Sequence, residues 1–385
     1  MKGTIVRRGK SSWRLKFDVG ADPVTGGRKI AYRTVHGTKR QAEAALAKAL
    51  AELQDGDFVD PSAMTVHEYL KKWLSDYARH NVAHKTFERF EELINNQIVP
   101  RLGSVKLQKL TPLQIQSAYS FMLEHGRIKG GGLSPRTVHH VHRLLYQALR
   151  QAVKWQLLAR NPVEAVTPPK PSDTEIQILE GAQIGVLLRT AESTRMYVPI
   201  LLSVTTGLRR GEVFGLRWSD VDLLRGRLSV TQALEQTKAG ISFKEPKTRR
   251  SRRTVTLPQV TIEVLRAHRA DQAAERLALG LGKDDLGLVF TNPLGEPVSV
   301  RAASKEFARI VKRAKLPPVT FHGLRHTHLT ELLKSGVHPK VASERAGHAS
   351  VAITMDTYSH VLPTMQDGLT AGIDAAIRTA LAEQT

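Results

Sequence analysis

Three short clusters in the C-terminal half of the chain combine arginine, histidine and tyrosine side chains. They are residues 206–212 (TGLRRGE), residues 322–327 (HGLRHT), and Gly347-His348 followed by Tyr358. A guanidinium offers forked, permanently charged donors that suit a phosphate group, and a neutral imidazole can give or accept a proton near neutral pH. A phenol hydroxyl can act as a nucleophile. Taken singly, each residue type is more often structural than catalytic, so the clusters have to be interpreted together.

In this order the three clusters resemble the tyrosine recombinase or phage integrase family. The catalytic domain of that family carries an arginine, a lysine on a β-hairpin, an HxxR pair, a later histidine and then the tyrosine. The specificity of the match lies in the combination, since Tyr358 follows His348 by ten residues. The resemblance covers the whole chain in architecture, and it implies a site-specific recombinase that breaks and rejoins DNA strands by transesterification.

The resemblance implies a role for the tyrosine and for two arginines. Tyr358 would attack the scissile phosphate and hold the strand as a 3′-phosphotyrosine, which conserves the bond energy without a nucleotide cofactor. Arg209 and Arg325 would bind the non-bridging oxygens, where negative charge builds in the transition state. We choose Arg209 over Arg210 because it follows Gly207-Leu208 directly, as the arginine does in the family.

The lysine of the family protonates the 5′-hydroxyl leaving group. Lys238, Lys244 and Lys247 all lie in the strand-rich stretch after Arg209. Lys247, which precedes the basic segment 252–255, fits the hairpin pattern best. The alternative for this residue is a solvated hairpin charge or a plain phosphate contact.

The resemblance also implies roles for two histidines. His322 would hydrogen-bond the phosphate or act on the tyrosine proton, and His348 would donate to a phosphate oxygen. We interpret the neighbouring His326 as a helix-packing residue. Two positions depart from the family pattern: Gly323 stands where an acidic residue is frequent, and Ala346 where leucine is frequent. Neither change removes a catalytic group, so they affect local packing only.

Composition points to a polyanionic partner and excludes several kinds of site. Lys and Arg number 57 against 36 Asp and Glu, a net charge of +21, and the pI is about 10.3. Basic residues recur along the whole chain, which favours nucleic acid over a membrane surface. There is no cysteine, so disulfides, thiolate zinc sites and cysteine nucleophiles are excluded. We expect no metal and no cofactor. We also expect a cytoplasmic location, because neither a signal peptide nor an apolar run of transmembrane length is present.

The N-terminal 60 residues have the pattern of a small sheet with one helix. Residues 13–19 alternate apolar and polar side chains, residues 29–35 form a second strand after a turn, and residues 4–6 are a shorter third strand. Thr38 and Gln41 form a capping box that opens an alanine-rich helix to about Leu53. Residues 1–60 are therefore predicted as an arm-type DNA-binding domain, a three-stranded sheet backed by a helix.

The rest of the chain is mainly helical. Four helices, roughly 66–77, 86–98, 112–124 and 135–156, predict a helical core-binding domain over 61–166. The proline-rich segment that follows predicts a linker over 167–178. Residues 179–363 are predicted as a mixed α/β catalytic domain. The expected fold class is therefore α+β, multidomain and mainly α.

The C-terminal tail, 364–385, carries an apolar stripe at helical spacing. The stripe consists of Leu369, Ile373, Ala376, Ile377 and Ala380. This segment could fold back onto its own domain. The resemblance implies instead that it packs onto a neighbouring protomer and links the active sites of a tetramer.

Two groups of side chains are candidates for DNA contact away from the catalytic clusters. In the arm domain, Arg14, Lys16 and Arg33 are expected to form the polar face of the sheet, which could enter a major groove or remain an ordinary solvated face. In the fourth helix of the core-binding domain, four basic residues have the spacing of one face. They are Arg136, His139, His140 and Arg143.

The leading hypothesis is an integrase that recombines the attachment sites of a mobile element. Its expected partners are double-stranded DNA with core and arm sites, three further copies in a homotetramer that passes through a Holliday junction, an excision or directionality factor and a host DNA-bending protein. A type IB topoisomerase and a DNA-binding regulator without catalysis are the alternatives. The arm domain and apolar tail argue against the first, and the complete set of catalytic residue types argues against the second.

Overall fold

The computed structural model describes residues 3–21, 26–54, 58–172, 177–246, 252–282, 286–358, 373–374 and 377–382. The chain divides into two compact units, Met1–Asp173 and Thr174–Thr385. The division falls inside the predicted linker. Both predicted N-terminal domains lie in the first unit, so the boundary at residue 60 stays a prediction.

The first unit begins with a three-stranded antiparallel sheet covered by a helix. Leu15 and Phe17 of the central strand are buried against Ala42 and Ala49 of the helix. The helix begins with the predicted capping box, in which Thr38 and Gln41 exchange hydrogen bonds. The elements are β1 (Gly3–Arg7), β2 (Ser12–Ala21), β3 (Arg28–His36) and α1 (Lys39–Gln54), with β2 in the middle.

The prediction that Arg33 shares a sheet face with Arg14 and Lys16 is wrong. Residues paired across antiparallel strands point to the same side, and Arg33 pairs with the buried Leu15. Its guanidinium reaches Glu52 of α1 at 3.6 Å, which places it on the helix-covered face. Tyr32 occupies the outer face instead, with the guanidinium of Arg14 4.3 Å from the centre of its ring.

The helical part of the first unit has its own core, in which Tyr69, Trp73 and Tyr119 are fully buried. The first two predicted helices run further than expected. The first continues through a wider π turn, Leu74–Ala78, and ends at Asn81. The second continues through a similar turn, Ile94–Ile98, and ends at Leu102. The second of these turns lies just before Pro100, whose missing amide interrupts the helical hydrogen bonds. The helices are α2 (Val66–Trp73), α3 (Arg79–Asn81), α4 (His84–Leu93), α5 (Val99–Leu102), α6 (Pro112–His125) and α7 (Pro135–Lys154).

The second unit is a helical domain with two small antiparallel sheets, one of order β4-β5-β8 and one formed by the hairpin β6-β7. Its strands are β4 (Val221–Asp222), β5 (Arg227–Val230), β6 (Ala233–Thr237), β7 (Gly240–Lys244) and β8 (Arg253–Thr256). Its helices are α8 (Gly181–Ala191), α9 (Tyr197–Thr206), α10 (Arg210–Phe214), α11 (Gln259–Ala278), α12 (Val300–Arg313), α13 (Gly323–Lys334), α14 (Pro339–Ala346) and α15 (Val351–Tyr358).

The largest core of this unit joins α8, α9, α12 and the sheet β4-β5-β8. A smaller cluster holds the C-terminal helices together, and Tyr358 packs in it with Leu329 and Leu333 of α13. In the part of the chain that the structure describes, we find no helix with the length and apolarity needed to span a bilayer.

Candidate active site

The first of the three sequence clusters lies where α9 ends and α10 begins. Gly207 ends α9 in the left-handed conformation, with φ of 67°. Arg209 then caps α10, and its guanidinium donates to Glu212 Oε1 at 2.9 Å and to the carbonyl of Gly347 at 2.8 Å. The second of these bonds ties the first cluster to the segment that carries His348.

A buried ion pair between Glu212 and Arg253 holds Arg209 in position. Glu212 and Arg253 of β8 are about 5% and 6% exposed, and the guanidinium of Arg253 lies 2.8 Å from the carboxylate. Arg253 also donates to the carbonyl of Arg345 at 2.7 Å. Burial opposes the charge on Glu212, but its hydrogen bond to Arg253 and the nearby arginine charges outweigh that effect and hold its pKa below the ordinary value. Glu212 is therefore an anion that holds two arginines.

The second arginine, Arg325, is almost fully buried in α13 and comes close to the first. Its Nη1 donates to the carbonyl of Gly207 at 2.8 Å, so it reaches the turn that precedes Arg209. Burial and the charge of Arg209 lower the pKa of Arg325 to about 9, which still leaves the guanidinium charged at neutral pH. Its Nη2 is buried and finds no hydrogen-bond partner among the described residues. A buried charged donor without a partner is costly, and an incoming anion would satisfy it.

Two histidines of the second cluster lie beside Arg325. The rings of His322 and His326 meet edge to face at 5.0 Å. Burial and the charge of Arg325 lower the pKa of His322. His326 Nδ1 lies 2.7 Å from the hydroxyl of Tyr358, a polar contact that the interpretation as a helix-packing residue missed. The signal was present in the sequence, because His326 directly follows Arg325.

His348 is held by the helix that carries the tyrosine. Its Nδ1 lies 2.7 Å from Oγ1 of Thr354, a buried residue one turn before Tyr358 in α15. Burial, followed by the charges of Arg325 and Arg209, lowers the pKa of His348 to about 4, so its ring is neutral at neutral pH. Sequence reasoning did not assign Thr354, and its i, i+4 spacing from the tyrosine is the available signal.

Lys247 lies outside the described residues, so its assignment stays a prediction. The hairpin β6-β7 ends three residues before it, and the other candidate in that strand, Lys244, forms an ion pair with Glu235 across the hairpin. The described residues contain no group of three His, Asp or Glu side chains able to hold a metal ion.

The predicted DNA-contact residues of α7 form an exposed basic face. Arg136, His140 and Arg143 are exposed, and burial together with neighbouring arginines lowers the pKa of His140. His139 lies at the edge of this face, and its Nδ1 is buried without a partner in the described part of the chain. In the sheet, Lys16 is exposed and Arg14 partly so.

The chain matches two descriptions of protein families. Residues 177–365 match the phage integrase family, and residues 65–123 match the N-terminal SAM-like domain of phage integrases. A XerC-like tyrosine recombinase of Caldanaerobacter subterraneus subsp. tengcongensis is 31% identical to the chain, over 94% of the chain and 95% of the relative. An integrase of Streptomyces ambofaciens is 29% identical, over 93% and 92%.

The fold is also similar to solved structures. The Tn1549 transposon integrase in complex with transposon right end DNA gives a TM-score of 0.66 at 23% identity, covering 80% of this chain and all (100%) of that one. A lambda integrase tetramer bound to a Holliday junction gives 0.55 at 22% identity, over 90% and 95%. Family match, relative and fold agree: the chain belongs to the phage integrase family and is a tyrosine recombinase.

Proposed function

We propose that this tyrosine recombinase is a site-specific integrase, which inserts or excises a mobile element by cutting and rejoining double-stranded DNA. The observation that carries the proposal is the convergence of two guanidinium groups beside a tyrosine hydroxyl. Arg325 contacts the turn before Arg209, keeps one donor unpartnered in the described structure, and lies close enough to Tyr358 to lower the pKa that burial raises. This arrangement suits a phosphate diester.

The chemistry follows from the charges at the site. Arg209 and Arg325 would bind the two non-bridging oxygens and offset the charge that develops on them, which is worth about 3 kcal/mol per donor in comparable oxyanion sites. His322 and His348, both neutral in the free protein, would donate hydrogen bonds to the phosphate without adding charge. Lys247 is the proposed acid for the 5′-oxygen.

The phenol oxygen of Tyr358 would displace the 5′-oxygen and leave a 3′-phosphotyrosine bond. Because that bond replaces one phosphodiester with another, rejoining needs no energy from a nucleotide. Two such exchanges in sequence pass through a Holliday junction. The similar lambda integrase, a tetramer bound to a Holliday junction, supports this order of events for the present chain.

The remaining parts of the chain receive roles from the same proposal. Residues 1–60 would bind arm sites and residues 61–166 would bind the core site, with residues 167–178 as linker and residues 179–363 as catalytic domain. The tail, 364–385, would contact a neighbouring protomer. In its described part, Ile373 and Ile377 are 58% and 54% exposed, which leaves their side chains open to a second copy.

A nicked suicide duplex that carries the core site tests the proposal. The wild-type protein should form a covalent adduct on a denaturing gel, and Tyr358→Phe should form none while it binds the duplex with unchanged affinity. Tyr197→Phe, a change at a partly buried tyrosine of the same unit, is the matched control and should react like wild type. A regulator would give no adduct with any variant. A topoisomerase would relax supercoils without a partner site.

A further inference from the structure

The hydroxyl of the nucleophile is hydrogen-bonded to a histidine that the family motif does not require. Tyr358 Oη and His326 Nδ1 are 2.7 Å apart, and their ring centres are 5.8 Å apart. Within the described parts of the chain, no other side chain hydrogen-bonds this hydroxyl. His322, the expected partner of the tyrosine proton, instead packs against the ring of His326.

The direction of this hydrogen bond depends on the charge and on the tautomer of the imidazole. Burial, then the neighbouring His322 and Arg325, lower the pKa of His326 to about 4, so the ring is neutral at neutral pH. A neutral imidazole carries one bare nitrogen, and the Nε2–H tautomer leaves Nδ1 bare to accept the phenol proton of Tyr358, which has no other side-chain acceptor among the described residues. Burial raises the pKa of Tyr358, so its hydroxyl does not ionise unaided. The nucleophile therefore needs a base, and a bare nitrogen lies in contact with its proton.

We propose that His326 is a further catalytic residue, which accepts the proton of Tyr358 during strand cleavage and returns it during rejoining. The proposal rests on the recombinase function argued above. In cleavage, the phenol oxygen forms a bond to phosphorus while its proton passes to Nδ1. The 5′-oxygen leaves with the electron pair of its own bond to phosphorus and takes a proton from a separate acid. In rejoining, the imidazolium returns its proton to the departing tyrosine oxygen.

The phosphate itself prepares this proton transfer. The positive charge of Arg325 disfavours an imidazolium at His326. A bound phosphate diester brings a negative charge to the arginines and so offsets part of that effect. The basicity of His326 thus increases when the substrate arrives, and the proton moves as the oxygen–phosphorus bond forms rather than before it.

The first test separates proton transfer from hydrogen bonding. The Oδ1 of asparagine can accept a hydrogen bond near the position of Nδ1 but cannot hold a proton at neutral pH. We expect His326→Asn to slow single-turnover adduct formation on the suicide duplex by about a hundredfold or more, with unchanged duplex affinity and melting temperature. His338→Asn, at an exposed histidine that caps α14, is the matched control and should react like wild type.

The second test uses a duplex whose scissile 5′-oxygen is replaced by sulfur. A thiolate leaves without a proton, so this substrate should restore the rate of a variant that lacks the acid, such as Lys247→Ala. It should not restore His326→Asn, because the nucleophile still has to lose its proton. Recovery of His326→Asn on the sulfur substrate would overturn the proposal.

Two further outcomes also decide the question. If His326→Asn reacts at the wild-type rate while His326→Ala is slow, the histidine only holds the tyrosine in place and accepts no proton. If both variants react faster than wild type, the hydrogen bond restrains the nucleophile, and the proposal is equally overturned. Failure of the wild-type protein to form any adduct on either duplex would instead refute the recombinase function, and the inference with it.

Discussion

The charges of individual residues make the site ready for an anion before DNA arrives. Arg209, Arg253 and Arg325 carry three positive charges, and Glu212 returns one negative charge to them. The oxygens of Glu212 accept hydrogen bonds from Arg209 and Arg253, while Nη2 of Arg325 is buried without a partner in the described structure. The cost of burying that donor is offset only when an oxyanion binds, which favours the phosphate over water at this position.

Glu212→Gln tests the support behind Arg209. The amide keeps the size of the carboxylate but leaves the buried Arg253 without its counterion, so we expect the second unit to lose about 3 kcal/mol of unfolding free energy or more. Strand cleavage should slow as well, because Arg209 loses one of its two anchors. Urea unfolding and the rate of adduct formation measure the two effects. Glu306→Gln, which breaks an exposed pair with Arg309, is the control and should cost about 1 kcal/mol at most.

The difference in unfolding free energy between wild type and Glu212→Gln has a defined dependence on pH. The pKa of Glu212 in the folded protein is below its ordinary value of 4.5, so the unfolded chain binds a proton first as the pH falls. The stability that the carboxylate contributes is complete above that ordinary value and is lost as the pH falls through the lowered pKa. The difference between wild type and Glu212→Gln should therefore be constant near neutral pH and shrink in acid. A difference that grows in acid would contradict the ion pair.

Sequence reasoning located the residues that belong to local motifs and missed those that only folding brings near. Arg209 and Arg325 were identifiable because each stands in a recognisable run of neighbours. Arg253 lies on a strand, 41 residues along the sequence from Glu212. At this separation the spacing of two residues in the sequence does not indicate whether they are in contact. Arg33 was assigned to the wrong face for a related reason: the pairing register between two strands decides the face, and one strand's alternation does not reveal it.

At the scale of elements, α13 organises the site. It packs along α9 and presents its side chains to the turn that follows α9. Arg325 reaches the carbonyl of Gly207 from this helix. Three residues further along α13, the ring of His328 lies close to the same glycine, and its Nδ1 lies 2.8 Å from the carbonyl oxygen of Val204. The end of α9 thus has to pass very close to a ring, and only a residue without a side chain fits there.

Gly207→Ala tests this close approach. A Cβ at Gly207 would lie 2.6 Å from the ring of His328, and the backbone there has a positive φ of 67°. Gly336 has a similar φ of 79° with nothing within 4 Å, so Gly336→Ala is a matched control for the strain alone. We expect the control to cost about 1 to 2 kcal/mol and Gly207→Ala about 1 to 3 kcal/mol more. Equal losses in urea unfolding would mean that the ring moves aside freely.

Helix α15 links Tyr358, the proposed nucleophile, to His348 through Thr354. Thr354→Val keeps the shape of the side chain but removes the hydroxyl, so Nδ1 of His348 loses its partner and the orientation of the ring is no longer fixed. We expect single-turnover cleavage to slow by about tenfold, the equivalent of one lost buried hydrogen bond. Thr354→Ser retains the hydroxyl and should stay near the wild-type rate. Equal rates for the valine and serine variants would exclude this role.

Elements with clear end signals could be predicted, and elements without them could not. The helices predicted to begin near residues 66 and 112 do begin at Val66 and Pro112, and each starts with a capping box in the structure. The ends at Asn81 and Leu102 were placed too early, because a π turn leaves no mark in the apolar pattern. The strands described in the second unit were expected only as a strand-rich stretch after Arg209, since strands of two to five residues show too few alternations to be recognised singly.

At the scale of the whole molecule, the net charge of +21 is far more than the two arginines proposed to bind the phosphate require. Basic faces on the sheet and on α7 account for part of the excess. Each phosphate that a lysine or arginine neutralises releases condensed counterions from the duplex, so the affinity should fall steeply with salt. We expect the dissociation constant for a core duplex to rise by about a thousandfold between about 50 and 200 mM salt. A flat response would contradict an extended electrostatic contact.

The slope of that salt dependence can be assigned to single side chains. On a duplex that carries the arm site, Arg14→Ala should reduce the slope of log affinity against log salt by about 1, because its guanidinium lies on the open face of the sheet. Arg33→Ala removes the same charge from the same sheet, but this side chain faces α1 and pairs with Glu52, so the slope should stay at the wild-type value. Equal reductions for both variants would mean that total charge, rather than the outer face of the sheet, determines the contact.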